Sequence, residues 1–131
     1  MFNKILCTLL VLISFGAHSS VVVIAHPSVT DLDSATIKKI YLGKAKSLSI
    51  MPIELEDGAS LKSEFHNKVT GKTEAQLQAY WAKKVFTGKG KPPESVSSSA
   101  IMKNKVSSIN NAIGYIDESD VDSSVKVIFR P

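Results

Sequence analysis

The residues of this chain with the most chemical potential run from Asp57 through Gly58, Ala59 and Ser60 to Leu61. Just before them, Met51, Ile53 and Leu55 alternate with their neighbours, the period of a half-buried strand. Just after them, Leu61, Phe65 and Val69 recur every four positions, which sets them on one face of a helix. Asp57-Gly58 is the strongest turn signal in the sequence, because glycine reaches positive φ without steric cost. Either Ser60 or Asp57 is expected to cap the helix by accepting a bond from one of its unpaired amides. A strand that turns through glycine into a helix start brings free N–H groups and the positive end of the helix dipole to one point, which suits a small anion.

His26 and Ser28 are the second candidates. Val21-Val22-Val23-Ile24-Ala25 is a continuous apolar run, as in a strand buried on both faces, and His26-Pro27 ends it because proline has no N–H for a ladder. Ligands in α/β folds often sit at strand ends, so His26 and Ser28 are expected at a strand end neighbouring the turn, as accessory binding residues.

Other chemistries find little support. Outside the first residues only His26 and His66 remain as histidines, with no metal-ligand spacing, so no metal and no cofactor is expected. No set of hydroxyl or thiol, histidine and carboxylate is evident, and the chain does not read as an enzyme. Gly88-Lys89-Gly90-Lys91-Pro92-Pro93 superficially resembles a phosphate loop, but it lacks the Gly-Lys-Ser/Thr ending and a preceding strand. It reads as a basic, stiff loop, not a nucleotide site.

These residues need a scaffold to hold them. Asp33 or Ser34 should cap a helix running to Leu42 with Ile37, Ile40 and Tyr41 inward, stopped by Gly43. Gly71 ends the central helix, and Thr73 with Gln76 forms a capping box for the next. Leu77, Trp81 and Val85 make a second stripe at four-residue spacing, with Tyr80 and Phe86 beside it, so Trp81 is expected in the core. Lys83 and Lys84 complement the dipole in the last turn, and Gly88 closes it. Ser95 to Ser99 is either a helix cap or a loop; Ile101, Met102, Val106 and Ile109 support a fourth helix. Asn110-Asn111 turns the chain into a strand at Ile113 to Ile116, and an acidic turn over residues 117–122 leads to a last strand at Val125 to Phe129. The order β-α-β-α-α-α-β-β predicts an α/β fold: a single three-layer domain with a mixed sheet flanked by helices.

Lys4, the apolar run Ile5 to Phe15 and the small residues Ala17-His18-Ser19 read as a secretory signal over residues 1–19, cleaved before Ser20, leaving a domain over residues 20–131. The apolar run is too short to span a bilayer, so no stable membrane insertion is expected after cleavage. The mature part has no cysteine, since Cys7 lies in the signal, and an exported chain without disulfides fits a bacterial periplasm. Lys plus Arg falls from 16 to 15 against 12 acidic residues, and this charge of +3, spread over dispersed lysines, argues against nucleic acid.

Four phrases then point to a family. Ile37-Lys38-Lys39-Ile40-Tyr41-Leu42-Gly43-Lys44, Phe65-His66-Asn67-Lys68-Val69, Tyr80-Trp81 with the Phe86-to-Pro93 loop, and Ala112-Ile113-Gly114-Tyr115-Ile116 resemble phosphate-type periplasmic substrate-binding proteins over nearly all of residues 21–129. The resemblance is to their short, single-lobe members. It implies one lobe of a type II periplasmic-binding fold, phosphate or a related oxyanion as ligand, and association with an ABC-transporter membrane complex or a sensor. In the family the second-lobe loop reads Arg-x-x-Gly-Ser-Gly-Thr. Here Leu55 stands for its arginine, Gly58 matches its first glycine, and Leu61 stands for its threonine, which leaves Ser60 as the nearest hydroxyl. An alternative implied by these losses is a non-catalytic interaction or sensing module that keeps the lobe and has given up tight anion binding.

Overall fold

The computed structural model describes residues 20–131, and the secretory signal expected over residues 1–19 lies outside them. The element order is β1 (Val21–Ala25), α1 (Ser34–Tyr41), β2 (Met51–Leu55), α2 (Ser60–Val69), α3 (Glu74–Phe86), β3 (Glu94–Val96), α4 (Ser99–Ser108), β4 (Ala112–Asp117) and β5 (Lys126–Phe129). Single 3-10 turns at Lys46–Leu48 and Glu118–Asp120 lead into β2 and β5. Among the described residues no helix is long and apolar enough to cross a membrane.

The strands form one sheet in the order β3-β2-β4-β1-β5. β2 runs parallel to β3 and β4, whereas β1 runs antiparallel to β4 and β5, so the sheet is mixed as expected. Every residue of β1 is buried, which explains its lack of alternation: Val21 to Ala25 meets side chains on both faces. On one face α1 and α2 deliver Ile37, Ile40, Tyr41, Phe65 and Val69, and on the other α4 delivers Met102 and Val106. Gly114 permits the second contact. A Cβ there would sit 2.5 Å from Met102 Sδ and 3.0 Å from Val106 Cγ2, so the closeness of α4 to β4 depends on the missing side chain. Tyr115, one residue on, faces the opposite way and stacks on Phe65 with centroids 4.1 Å apart.

Several local expectations hold. Asp33 caps α1 by accepting the Thr36 amide at 2.8 Å, and both bonds of the Thr73–Gln76 capping box are present. Three differ. The stretch after Pro93 is a short edge strand, β3, that the expected order lacked, while Ser98, within the serine cluster, does cap α4 by accepting the Ile101 amide. The cap of α2 is Ala59, which offers no side-chain bond, so neither Ser60 nor Asp57 caps it. Ser60 has already entered the helix, and Asp57 is held by Lys62.

The third difference concerns α3. Leu77 is its only buried residue; Trp81 is half-buried, Val85 is 55% exposed and Phe86 92% exposed. Trp81 is therefore not core. The helix is tethered by its ends and not by its apolar face: Glu74 and Gln78 reach the β2–α2 turn, while Tyr80 Oη and Lys84 Nζ donate to Leu42 O at the end of α1, at 2.6 and 3.2 Å. Periodicity identifies the stripe correctly, but only its Leu77 end is buried.

Candidate functional site

At the end of β2 the chain turns through Gly58, whose φ of +89° is open to glycine and strained for other residues. Ala59 N closes the turn on Glu56 O at 3.2 Å, and α2 starts at Ser60. The Ser60 and Leu61 amides occupy the first two helical positions, and among the described residues neither has a hydrogen-bond partner. Ser60 is exposed and Leu61 half-buried against the core, so Leu61 offers its N–H and not its side chain.

Two side chains already exploit this turn. The Glu74 carboxylate, from the first turn of α3, accepts the Gly58 amide at 2.6 Å. An anion thus already sits on the turn, supplied by the protein itself. Lys62 Nζ lies 2.8 Å from Asp57 Oδ1 and holds that carboxyl below its ordinary range, opposed by slight desolvation and helped by Gln78. Lys62 is the cation the sequence comparison did not supply. Leu55 fills the expected arginine position with a buried apolar side chain, while Lys62 reaches the turn from inside the helix.

His26 and Ser28 do not join this site. β1 is antiparallel to β4, and β2 is parallel to it, so the end of β1 lies with the start of β2. The register puts Ala25 beside Ile113 and Met51 beside Ala112, whereas Gly58 follows the far end of β2. A strand length of roughly 15 Å separates the two groups. His26 and Ser28 instead close a local turn: His26 Nδ1 accepts the Ser28 amide at 3.1 Å, and the Ser28 hydroxyl donates to Asn110 O at 2.7 Å. Strand direction, which local sequence does not encode, puts this strand end away from the Gly58 turn and not beside it as expected.

A polar cluster that the sequence reading did not single out lies beneath the turn. Glu54, on β2, is 4% exposed and His66, on α2, 1%. His66 Nε2 donates to Glu54 Oε1 at 2.7 Å, Tyr115 Oη donates to Glu54 Oε2 at 2.5 Å, and the Leu55 amide donates back to Tyr115 Oη at 3.0 Å. Thr70 Oγ1 lies 2.9 Å from His66 Nδ1, and Tyr41 Oη donates to Ile53 O at 3.0 Å. Burial, then the Glu54 charge, pushes both the Tyr41 and Tyr115 hydroxyls well above the usual tyrosine range. None of these groups lines either of the two clefts that border Trp81, and every buried polar side-chain atom among the described residues has a partner. The cluster fixes β2, α2 and β4 to one another. Its signal in the sequence is His66 and Thr70 at helical spacing, with Glu54 breaking an apolar strand.

Comparison with known proteins gives a fold and a partial match. No family model matches the chain, and no curated protein matches it. Among solved structures it is similar to an ABC-type phosphate transport receptor from Vibrio cholerae, with a TM-score of 0.64 and 22% identity over 84% of this chain and 45% of that one. It is also similar to a protein from Clostridium perfringens described as a phosphate ABC transporter substrate-binding protein with bound phosphate, with a TM-score of 0.63 and 29% identity over 84% of this chain and 44% of that one. PstS from Borrelia burgdorferi matches with a TM-score of 0.55 and 17% identity over 76% of this chain and 41% of that one. The structural neighbours are phosphate transport binding proteins, as the resemblance implied, and the chain spans less than half of their length. Its three-layer mixed sheet is the architecture it shares with them.

Proposed function

We propose that this chain is a periplasmic solute-binding module for phosphate or a related small oxyanion, working with an ABC-type transporter. The observation that carries the reading is the pair of free amides at Ser60 and Leu61, aligned at the start of a ten-residue helix behind the Gly58 turn. The exposed Ser60 hydroxyl is a neutral side chain beside these amides, and Lys62, paired with Asp57, supplies a cation at the turn. The likeness to a phosphate-bound protein supports the ligand class. The site is open to water, so each hydrogen bond competes with solvent and adds little. Affinity for the isolated chain is expected in the high-micromolar to millimolar range, on the order of 4–6 kcal/mol.

Amide shifts in a phosphate titration of residues 20–131 test this reading. Shifts centred on Ala59 to Leu61 are expected; none at high phosphate, or shifts centred elsewhere, would remove it. Glu74→Gln sharpens the test. The Glu74 carboxylate holds the Gly58 amide and repels an incoming anion, so its neutralisation should tighten phosphate binding by a few-fold, roughly 0.5–1 kcal/mol.

A second reading, an interaction or sensing module that keeps the lobe without tight anion binding, is favoured by that same Glu74 contact and by the uncovered apolar stripe of α3. It becomes the better account if calorimetry with phosphate, sulfate and arsenate shows no heat of binding in either the parent or Glu74→Gln.

A further inference from the structure

We infer that the chain carries a second binding site, at the opposite end of β2 from the Gly58 turn, for an organic anion with a flat apolar body such as an aromatic carboxylate. The site is a cleft of about 830 Å³ between the end of α1, the start of β2, α3 and the Gly88–Pro93 loop. That volume is within the range of small-molecule pockets, about 300–1,000 Å³. Trp81 forms one wall, and Ile40, Ile50, Met51 and Pro92 are among the other apolar lining residues. An indole face and aliphatic side chains suit a flat ring.

The charge of the rim selects the other half of the ligand. Residues 34–53 carry four lysines and residues 75–93 carry four more, with no acidic residue in either segment. None of these eight forms an ion pair among the described residues, whereas Lys62, Lys68, Lys103, Lys105, Lys126 and Arg130 all do. The fold brings the two segments together. Lys46 and Lys91 line the cleft, a Cβ at Gly90 would lie 3.9 Å from Lys46 Nζ, and Lys84 Nζ sits 5.7 Å from the Trp81 ring centre. The one acidic lining residue, Glu94, is paired with Lys105. Three of these lysines, Lys46, Lys84 and Lys91, thus meet around an aromatic wall, and the Gly88-Lys89-Gly90-Lys91 loop acquires a role without being a nucleotide loop.

Trp81 is the only tryptophan, so its indole N–H gives one NMR cross-peak; Trp81 also borders a second cleft shared with Asp57 and Lys62, so the Lys46 and Lys91 variants and the phosphate control assign a shift to this one. The probes are naphthalene-1-carboxylate, the neutral 1-naphthalenemethanol and inorganic phosphate. The carboxylate should shift the indole peak saturably and bind at least about five-fold more tightly than the alcohol, the gain of a solvent-facing charge-assisted contact. Phosphate should leave the peak in place, which separates this site from the turn. Lys46→Gln with Lys91→Gln should bring the carboxylate to the level of the alcohol and leave the alcohol unchanged. N-acetylphenylalanine and a peptide ending in phenylalanine separate a free metabolite from a protein C-terminus as the source. Saturation by either supports the shared chemistry. No saturable shift with any of these acids, or equal binding of acid and alcohol in the parent chain, overturns the inference.

Discussion

Helices α2 and α3 have the same apolar spacing and opposite fates. Leu61, Phe65 and Val69 on α2 face the sheet, with Phe65 fully buried between Tyr41 and Tyr115. Leu77, Trp81 and Val85 on α3 border a second, open cleft against Pro92, Pro93 and Ser95, and only Leu77 is buried. The difference lies in what each helix meets. α2 follows directly from β2 and lies over β1, β2 and β4, whereas α3 is anchored by polar bonds to the turn and to Leu42. A stripe at helical spacing therefore predicts a helix and the face it would bury; it does not show that anything buries it.

Paired truncations break or sharpen this contrast. Phe65→Ala should cost about 3–5 kcal/mol, the range for deleting a buried aromatic, a large part of the stability of a domain this size. Trp81→Ala should cost less, about 2 kcal/mol, because Trp81 is half-buried and stands outside the buried core cluster. Urea unfolding followed by circular dichroism compares the two; equal losses would mean that α3 is core after all.

The polar cluster under α2 should give the next effect. Glu54→Ala leaves the His66 and Tyr115 donors buried without an acceptor, which should cost about 3 kcal/mol. Truncating Glu56, exposed beside the turn, should leave the unfolding midpoint within about 0.5 kcal/mol of the parent. A small loss in Glu54→Ala would show that solvent reaches the cluster.

The same covered side should make the protein sensitive to alkali. Tyr41 and Tyr115 are raised above 10.0 in the folded chain, so the unfolded chain ionises first. Their contribution is complete below pH 10 and declines above it, by about 1.4 kcal/mol per pH unit for each tyrosine. Urea midpoints at pH 9, 10 and 11 should fall mostly over the last interval. The Phe variants of both tyrosines should flatten that fall while lowering stability at neutral pH.

The smallest effect belongs to the outer face of α3. Phe86→Ser, at a position 92% exposed, should change stability by no more than about 0.5 kcal/mol. A loss above 1 kcal/mol would mean that another part of the chain rests on this helix in solution.

Much of this protein was legible in its sequence because the deciding forces are local. Turn chemistry at Asp57-Gly58, the Thr73–Gln76 capping box and the burial of Ile37, Ile40 and Tyr41 all depend on residues within a turn or two of one another. The free amides of the candidate anion site belong to the same class, since any helix start leaves them unpaired. What tertiary structure alone decided is which distant pieces meet. Strand direction placed His26 and Ser28 at the far end of the sheet from Gly58. Packing turned Glu54 and His66 inward onto Tyr115, and carried Glu74 onto the Gly58 amide. It also assembled lysines from two separate acid-free segments around Trp81. Helix periodicity and turn preference act over a few residues, whereas strand order and the covering of a helix face are set by the free energy of the whole packed chain. No short segment carries that information.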